Sequence, residues 1–262
     1  MSRFCPLFSS SSGNCTYIGY GDGAILIDAG VSCRSIMNAL AAREIAPETI
    51  KAVAVTHSHS DHTAGLKTLI KKLQIPVIAS ADTLRYLDEH SLLPPDCEKI
   101  IADQKISICG MEISSFCTSH DCCGSCGYTV MMPDDRRIAV CTDLGYISED
   151  IEQSLMGCDL VMLESNHDIN MLKKNINYPF PLKERILSDH GHLSNGQCSA
   201  LLPRLIRGGT TRIVLAHLSM QNNLPMLALS SARACLTEAG LKEELDYILY
   251  VAPKEGGKMF IL

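Results

Sequence analysis

Apolar positions along this chain change period several times, and each change predicts an element. "CTYIGYGDGAILIDAG", residues 15–30, holds two apolar runs around Gly21-Asp22-Gly23, the pattern of a β-hairpin. "SCRSIMNALAAREI" then spaces its apolar residues as a helix does, with Ser32 placed to cap the first turn. Strand "KAVAVT", helix "TAGLKTLIKKL", strand "IPVIAS" and helix "ADTLRYLDEH" follow. Residues 98–141 read as short antiparallel strands with a turn at Pro133-Asp134-Asp135, and beyond 148 helices alternate with strands "DLVMLES" and "RIVLAH". Two β-rich blocks, each followed by an αβ stretch, predict a two-halved layered α/β fold, taken as one domain over 1–262.

Composition narrows this picture only a little. The 262 residues are 46% hydrophobic, enough for a sizeable core, and no linker, repeat or low-complexity segment interrupts them. A net charge of −6 excludes a global pull toward nucleic acid, so a nucleic-acid enzyme would need a local basic patch. The start, "MSRFCPLFSSSSGNC", has no apolar core of the signal-peptide kind, and no stretch approaches the length of a membrane span. The expectation is a cytoplasmic protein without membrane insertion. Its 13 cysteines, an odd number spread along the chain, fit buried thiols in a reducing compartment better than a disulfide framework.

The strand ends carry the chemistry. "VAVTHSH", "SSFCTSHD", "IAVCTD", "VMLESNHD" and "IVLAHLS" each finish in His or Asp. Ligands in layered α/β folds bind outside the carboxyl ends of strands, so five such ends argue for a shared site rather than five solvated turns. The densest is "THSHSDH", residues 56–62. Residues i and i+2 of an extended segment point the same way, so His57 and His59 can face one ion while Asp61 and His62, at the turn into a helix, face another. Imidazole and carboxylate ligands suit zinc, manganese or iron, not copper or an iron–sulfur cluster.

With that motif, "SHD" at 119–121, "CTDLGY", "LAHLS", "SSSSGNC" at 9–15, "ESNHD" at 164–168, "YPFPLKERILSDHGHLSN" and "QNN", the chain resembles the metallo-β-lactamase superfamily, in particular its WalJ/YycJ-like branch. The resemblance covers nearly the whole chain. It implies an α/β fold of the αββα four-layer sandwich type with a dinuclear metal site at the sheet edges. It assigns His57, His59 and His120 to the first metal, Asp61, His62 and His217 to the second, and Asp143 as the bridge. Two divalent ions per chain, Zn²⁺ or Mn²⁺ or Fe²⁺, are implied. Branch members are nucleases with links to DNA repair, which implies a phosphodiesterase, foremost a DNA exonuclease.

Catalysis on this reading falls to His192 and to Asp61. His192 stands before helix "SNGQCSALLPRLI", whose Ser194 cap and free N–H groups favour anions, and it resembles the extra histidine of phosphodiesterase members. Its bland alternative is a helix-cap histidine. Ser12, Asn14 and His167 are expected at the substrate, whereas His190 reads as a surface or packing residue and His90 as a solvated one. Lys173, Lys174, Arg204 and Arg207 read first as solvated helix faces and second as a basic rim for a nucleic-acid backbone. "CCGSCGY" departs from the branch pattern. Cys122, Cys123 and Cys126 lack a second cysteine pair for a structural zinc, so the loop is expected to be inert or mildly redox-sensitive and dispensable for metal binding. Two rival functions stay open: hydrolysis of small cyclic or nucleotide phosphodiesters, and a non-catalytic partnership in cell-envelope signalling. Oligomeric state is not legible.

Overall fold

Continuous apolar runs become strands buried on both faces. "GAILI" is such a run: every residue of Gly23–Ile27 is buried. The computed structural model describes residues 1–262. Its strands fall into two sheets of seven, and the chain divides into two units.

The first unit takes in Met1–Ser115, Cys122–Arg136 and Pro253–Leu262. Its strands are β1 (Ser2–Phe8), β2 (Cys15–Tyr20), β3 (Gly23–Ile27), β4 (Ile50–Ala54), β5 (Val77–Ala79), β6 (Lys99–Ile101) and the closing β14 (Phe260–Ile261), ordered β14-β1-β2-β3-β4-β5-β6. The β2–β3 hairpin turns where expected, pairing Tyr20 with Gly23. From β3 onward pairing is parallel. Helices α1 (Cys33–Ala41), α2 (Ser60–Thr63), α3 (Leu66–Leu73) and α4 (Ala81–Glu89) connect these strands. Ile36 and Leu40 of α1 and Leu66, Leu69 and Ile70 of α3 share one core with Leu26, Val53 and Val77. Each such side chain contributes about 1.5–3 kcal/mol on full burial. Ser32 caps α1 as predicted, its side chain accepting from the Ser35 N–H. Two expectations need correction. The helix predicted over 63–73 is broken before Leu66, because the Gly65 N–H bonds to the Ala29 carbonyl at 2.8 Å. Residues 99–101 are not part of the antiparallel block; β6 pairs in parallel with β5.

The second unit is Phe116–Asp121 with Arg137–Ala252. Its strands β10 (Arg137–Cys141), β11 (Leu160–Glu164), β12 (Arg212–Ala216) and β13 (Ile248–Val251) run parallel, which puts all their carboxyl ends at one edge. Helices α5 (Glu149–Leu155), α8 (Asn195–Arg207) and α9 (Pro225–Glu238) bury Ile151, Leu155, Leu201, Leu202, Leu205, Ala228 and Leu236 against Cys141, Leu163 and Leu215. Ser194 caps α8 in a reciprocal box with Gln197.

Candidate metal centre

The first unit supplies its share from one short stretch. β4 ends at Ala54, the chain bends at Thr56, and His59 stands at the N-cap position of α2 without a side-chain cap bond. The rings of His57 and His59 meet edge to face at 4.7 Å, and His57 lies 4.1 Å from His62. The Asp61 carboxylate is 3.5 Å from His62 Nε2. Behind them sits Asp28 at the end of β3, buried, with backbone φ of 64°. It accepts the Thr56 N–H at 2.8 Å, the Thr56 hydroxyl at 2.9 Å and His62 Nδ1–H at 2.8 Å. Since the Thr56 hydroxyl donates to Asp28, its oxygen is left to accept His57 Nδ1–H, 3.0 Å away. This network assigns both rings the tautomer with the lone pair on Nε2, as in carboxylate–histidine–metal arrangements.

Backbone contacts gather the segments. The Asn14 N–H bonds to the Asp61 carbonyl at 2.8 Å, and the Gly30 N–H to the Asn14 carbonyl at 2.7 Å. A Cβ on Gly30 would lie 1.6 Å from the Asp61 carbonyl oxygen, so only glycine permits the approach. Asn14 is occupied here: its Nδ2 reaches the Ser10 carbonyl at 3.0 Å and His62 Nε2 at 3.1 Å. Ser12 is exposed, and its hydroxyl touches Ser10 Oγ at 2.9 Å.

The second unit draws its share from five stretches: His120, Asp143, Glu164, His192 and His217. His120 directs Nδ1 to the Gly191 carbonyl at 3.1 Å, leaving Nε2 as its ligating atom. Gly191 allows this because a Cβ there would meet the Ile186 carbonyl oxygen at 2.2 Å. Asp143 and His217 follow β10 and β12 in left-handed backbone, at φ of 60° and 54°. Glu164, the last residue of β11, is fully buried. It accepts four hydrogen bonds: Leu144 N–H at 3.2 Å, Leu193 N–H at 3.1 Å, His192 Nδ1–H at 2.8 Å and His217 Nδ1–H at 2.9 Å. Both imidazole bonds land on the same oxygen, Oε1.

The electrostatics follow from burial and from Glu164. Burial alone would raise the Glu164 pKa, but the charge of His192 and the hydrogen bonds from His192 and His217 outweigh it and hold the carboxyl low. Burial works against protonating His192 too, yet Glu164's charge and hydrogen bond, with Asp143 behind them, raise its pKa. His120 goes the other way, its pKa lowered chiefly by burial. His167 is 1% exposed, with neither ring nitrogen hydrogen-bonded, and burial pushes its pKa down to about 4.

Donor chemistry fits a metal ion in the first unit, where His57, His59 and Cys122 place their ligating atoms within 4.8 Å of one another. In the second, Asp143, Glu164, His192 and His217 gather as closely, with both Nδ1 atoms given to Glu164 and Nε2 left as the ligating atom of His217. Asp28 and Glu164 went unrecognised as site residues in the sequence. "ILID" ends in the same strand-tip pattern as the five stretches singled out, and "VMLES" was read for the His167 beyond it. The flanking groups divide. His90 stacks on Tyr86 at 3.9 Å and the exposed His190 meets the Ser119 hydroxyl at 3.1 Å, both as surface residues. Arg204 pairs with Glu152 at 2.8 Å and Arg207 donates to the Ala239 carbonyl at 2.9 Å, which favours the solvated-face reading for these two.

A fold of two mixed sheets with imidazole and carboxylate donors at strand ends defines a metal-dependent hydrolase. The beta-lactamase superfamily domain model matches residues 24–218, and the chain belongs to that family, whose αββα sandwich is its fold. Exodeoxyribonuclease YycJ of Bacillus anthracis is 35% identical over 241 residues, covering 91% of this chain and 90% of the relative. Exodeoxyribonuclease WalJ of Streptococcus pneumoniae is 33% identical over 252 residues, covering 95% of this chain and 93% of the relative. The crystal structure of the metallo-beta-lactamase fold protein YhfI from Bacillus subtilis matches with a TM-score of 0.74 at 14% identity, over 99% of this chain and 98% of that one. No helix is long and apolar enough to cross a membrane.

Proposed function

We propose that this chain is a cytoplasmic DNA exonuclease, a single hydrolase domain in which His57, His59, Asp61, His62, His120, Asp143 and His217 together hold two divalent ions. One observation carries the reading: four buried imidazoles have Nδ1 tied to a buried acceptor, Thr56 for His57, Asp28 for His62, Gly191 for His120 and Glu164 for His217, so each offers Nε2. Bound there, two divalent ions supply Lewis acidity to a phosphodiester and lower the pKa of a water. The chain's own residues do the rest. His192 is anchored at Nδ1 by Glu164, whose charge and hydrogen bond raise its pKa, and its ring remains part-exposed, so it serves as donor to the departing oxygen. Ser12 is the polar group open to substrate. Asn14 and His167, both buried, support the site from behind.

A polymer substrate is favoured over a small phosphodiester by the stretch 169–187. It exposes Phe180, at 69%, in the same stretch as the exposed Lys173 and Lys174, a combination suited to stacking a base and tracking phosphates. A purely structural signalling role has no use for such oriented imidazoles. The test is incubation with Mn²⁺ or Zn²⁺ against end-labelled duplex DNA, single-stranded DNA, RNA and bis-p-nitrophenyl phosphate. Stepwise shortening of DNA, abolished by chelator, is expected. Turnover of the small diester with every polymer untouched would sink the exonuclease reading.

A further inference from the structure

The loop "CCGSCG" reads as dispensable from sequence, but its geometry separates its three thiols. Cys126 is buried, its Sγ directed at the Thr56 carbonyl, and Cys123 is exposed. Cys122 is the one brought to His57 and His59, with all three ligating atoms within 4.8 Å of one another.

That placement is built in. The Cys126 N–H bonds to the Thr56 carbonyl at 3.0 Å, fastening one end of the loop to the residue that precedes His57. At the middle, the Gly124 carbonyl accepts from Ser80 Oγ at 2.7 Å and from Thr83 Oγ1 at 3.3 Å, which pins the loop to the start of α4. Cys122 is thereby held half-buried over the two imidazoles instead of swinging in solvent.

We propose that Cys122 is a metal ligand, a thiolate joining His57 and His59 on the first ion. The inference rests on the two-ion reading above and adds a seat to it. On binding, the sulfur–metal bond forms and the thiol proton leaves to solvent. A thiolate is a soft donor, so this seat biases the first position toward zinc over manganese. It also gives the first ion one protein ligand more than the second, which leaves the first ion less open to water.

Cobalt substitution tests this without recourse to turnover. Protein loaded with Co²⁺ should show a thiolate-to-cobalt charge-transfer band in the near ultraviolet, lost in Cys122→Ser and kept in Cys123→Ser. In parallel, iodoacetamide labelling read by mass spectrometry should modify Cys122 in metal-free protein and spare it after zinc loading, with Cys123 labelled equally in both. Ions bound by elemental analysis, with no band and equal labelling of Cys122, would overturn the thiolate seat and leave the two-ion reading standing. Wild-type protein that takes up no ion would overturn both.

Discussion

The two units reach the same chemistry by opposite routes. The first packs His57, His59, Asp61 and His62 into one strand-to-helix turn and needs only a single remote carboxylate, Asp28, to orient it. The second collects His120, Asp143 and His217 from beyond separate strands and His192 from the loop before α8, and depends on Glu164 to align two rings at once. Sequence proximity does the positioning in one; a fully buried anion does it in the other. The difference teaches where each is vulnerable. A local turn tolerates the loss of its support, whereas a dispersed set falls apart when its common acceptor goes.

The largest effect should come from that acceptor. Glu164→Ala strands two imidazoles and two backbone N–H groups, and breaking such a buried ionic cluster costs about 3–5 kcal/mol. Asp28→Ala should cost less, about 1–3 kcal/mol for its orphaned donors. Urea denaturation of the metal-free variants measures both, and equal losses would erase the contrast between the units.

Next comes His192, which separates proton transfer from scaffolding inside the second unit. His192→Ala should retain both ions and stay folded, losing about 1–3 kcal/mol because Glu164 gives up one of its four hydrogen bonds, while kcat drops by about 10²–10⁴ and KM holds. The deficit should shrink on p-nitrophenyl esters, whose leaving group needs little protonation. Loss of an ion, seen by elemental analysis, would make His192 a ligand and require His217 to be reassigned.

A pH dependence in the second unit comes last, because at neutral pH it contributes no difference at all and it develops only in acid. His167 has a folded pKa of about 4, depressed by burial from an ordinary value near 6.5. The unfolded chain therefore binds the extra proton first. Stability from this residue is full above about pH 6.5 and declines as pH falls toward 4, by on the order of 3 kcal/mol in all. Thermal unfolding of metal-free protein over that range should show the decline, and His167→Phe should flatten it. An unchanged slope in the variant would remove His167 as the cause.

Legibility followed the same division. The HxHxDH turn could be read directly because its geometry is set within a few bonds, and the strands that carry the other tips announced themselves by apolar runs. Asp28 and Glu164 escaped because an orienting carboxylate is defined by the ring beside it, and those rings lie far along the chain. The parallel seating of β6 was equally hidden, since a three-residue strand shows no alternation from which to infer a partner. The nearness of Cys122 to His57 and His59 was hidden too, since cysteine spacing carries no information about histidines more than sixty residues away.

The left-handed turns at Asp143 and His217 bear on how such an enzyme can change over generations. Each holds a side chain with a Cβ in a conformation that costs about 1–2 kcal/mol. Glycine at either position would relax the backbone and, on the two-ion reading proposed above, delete a ligand. Selection for heat resistance alone would therefore drift toward inactive sequences at these two codons, and only selection for turnover keeps the strain in place.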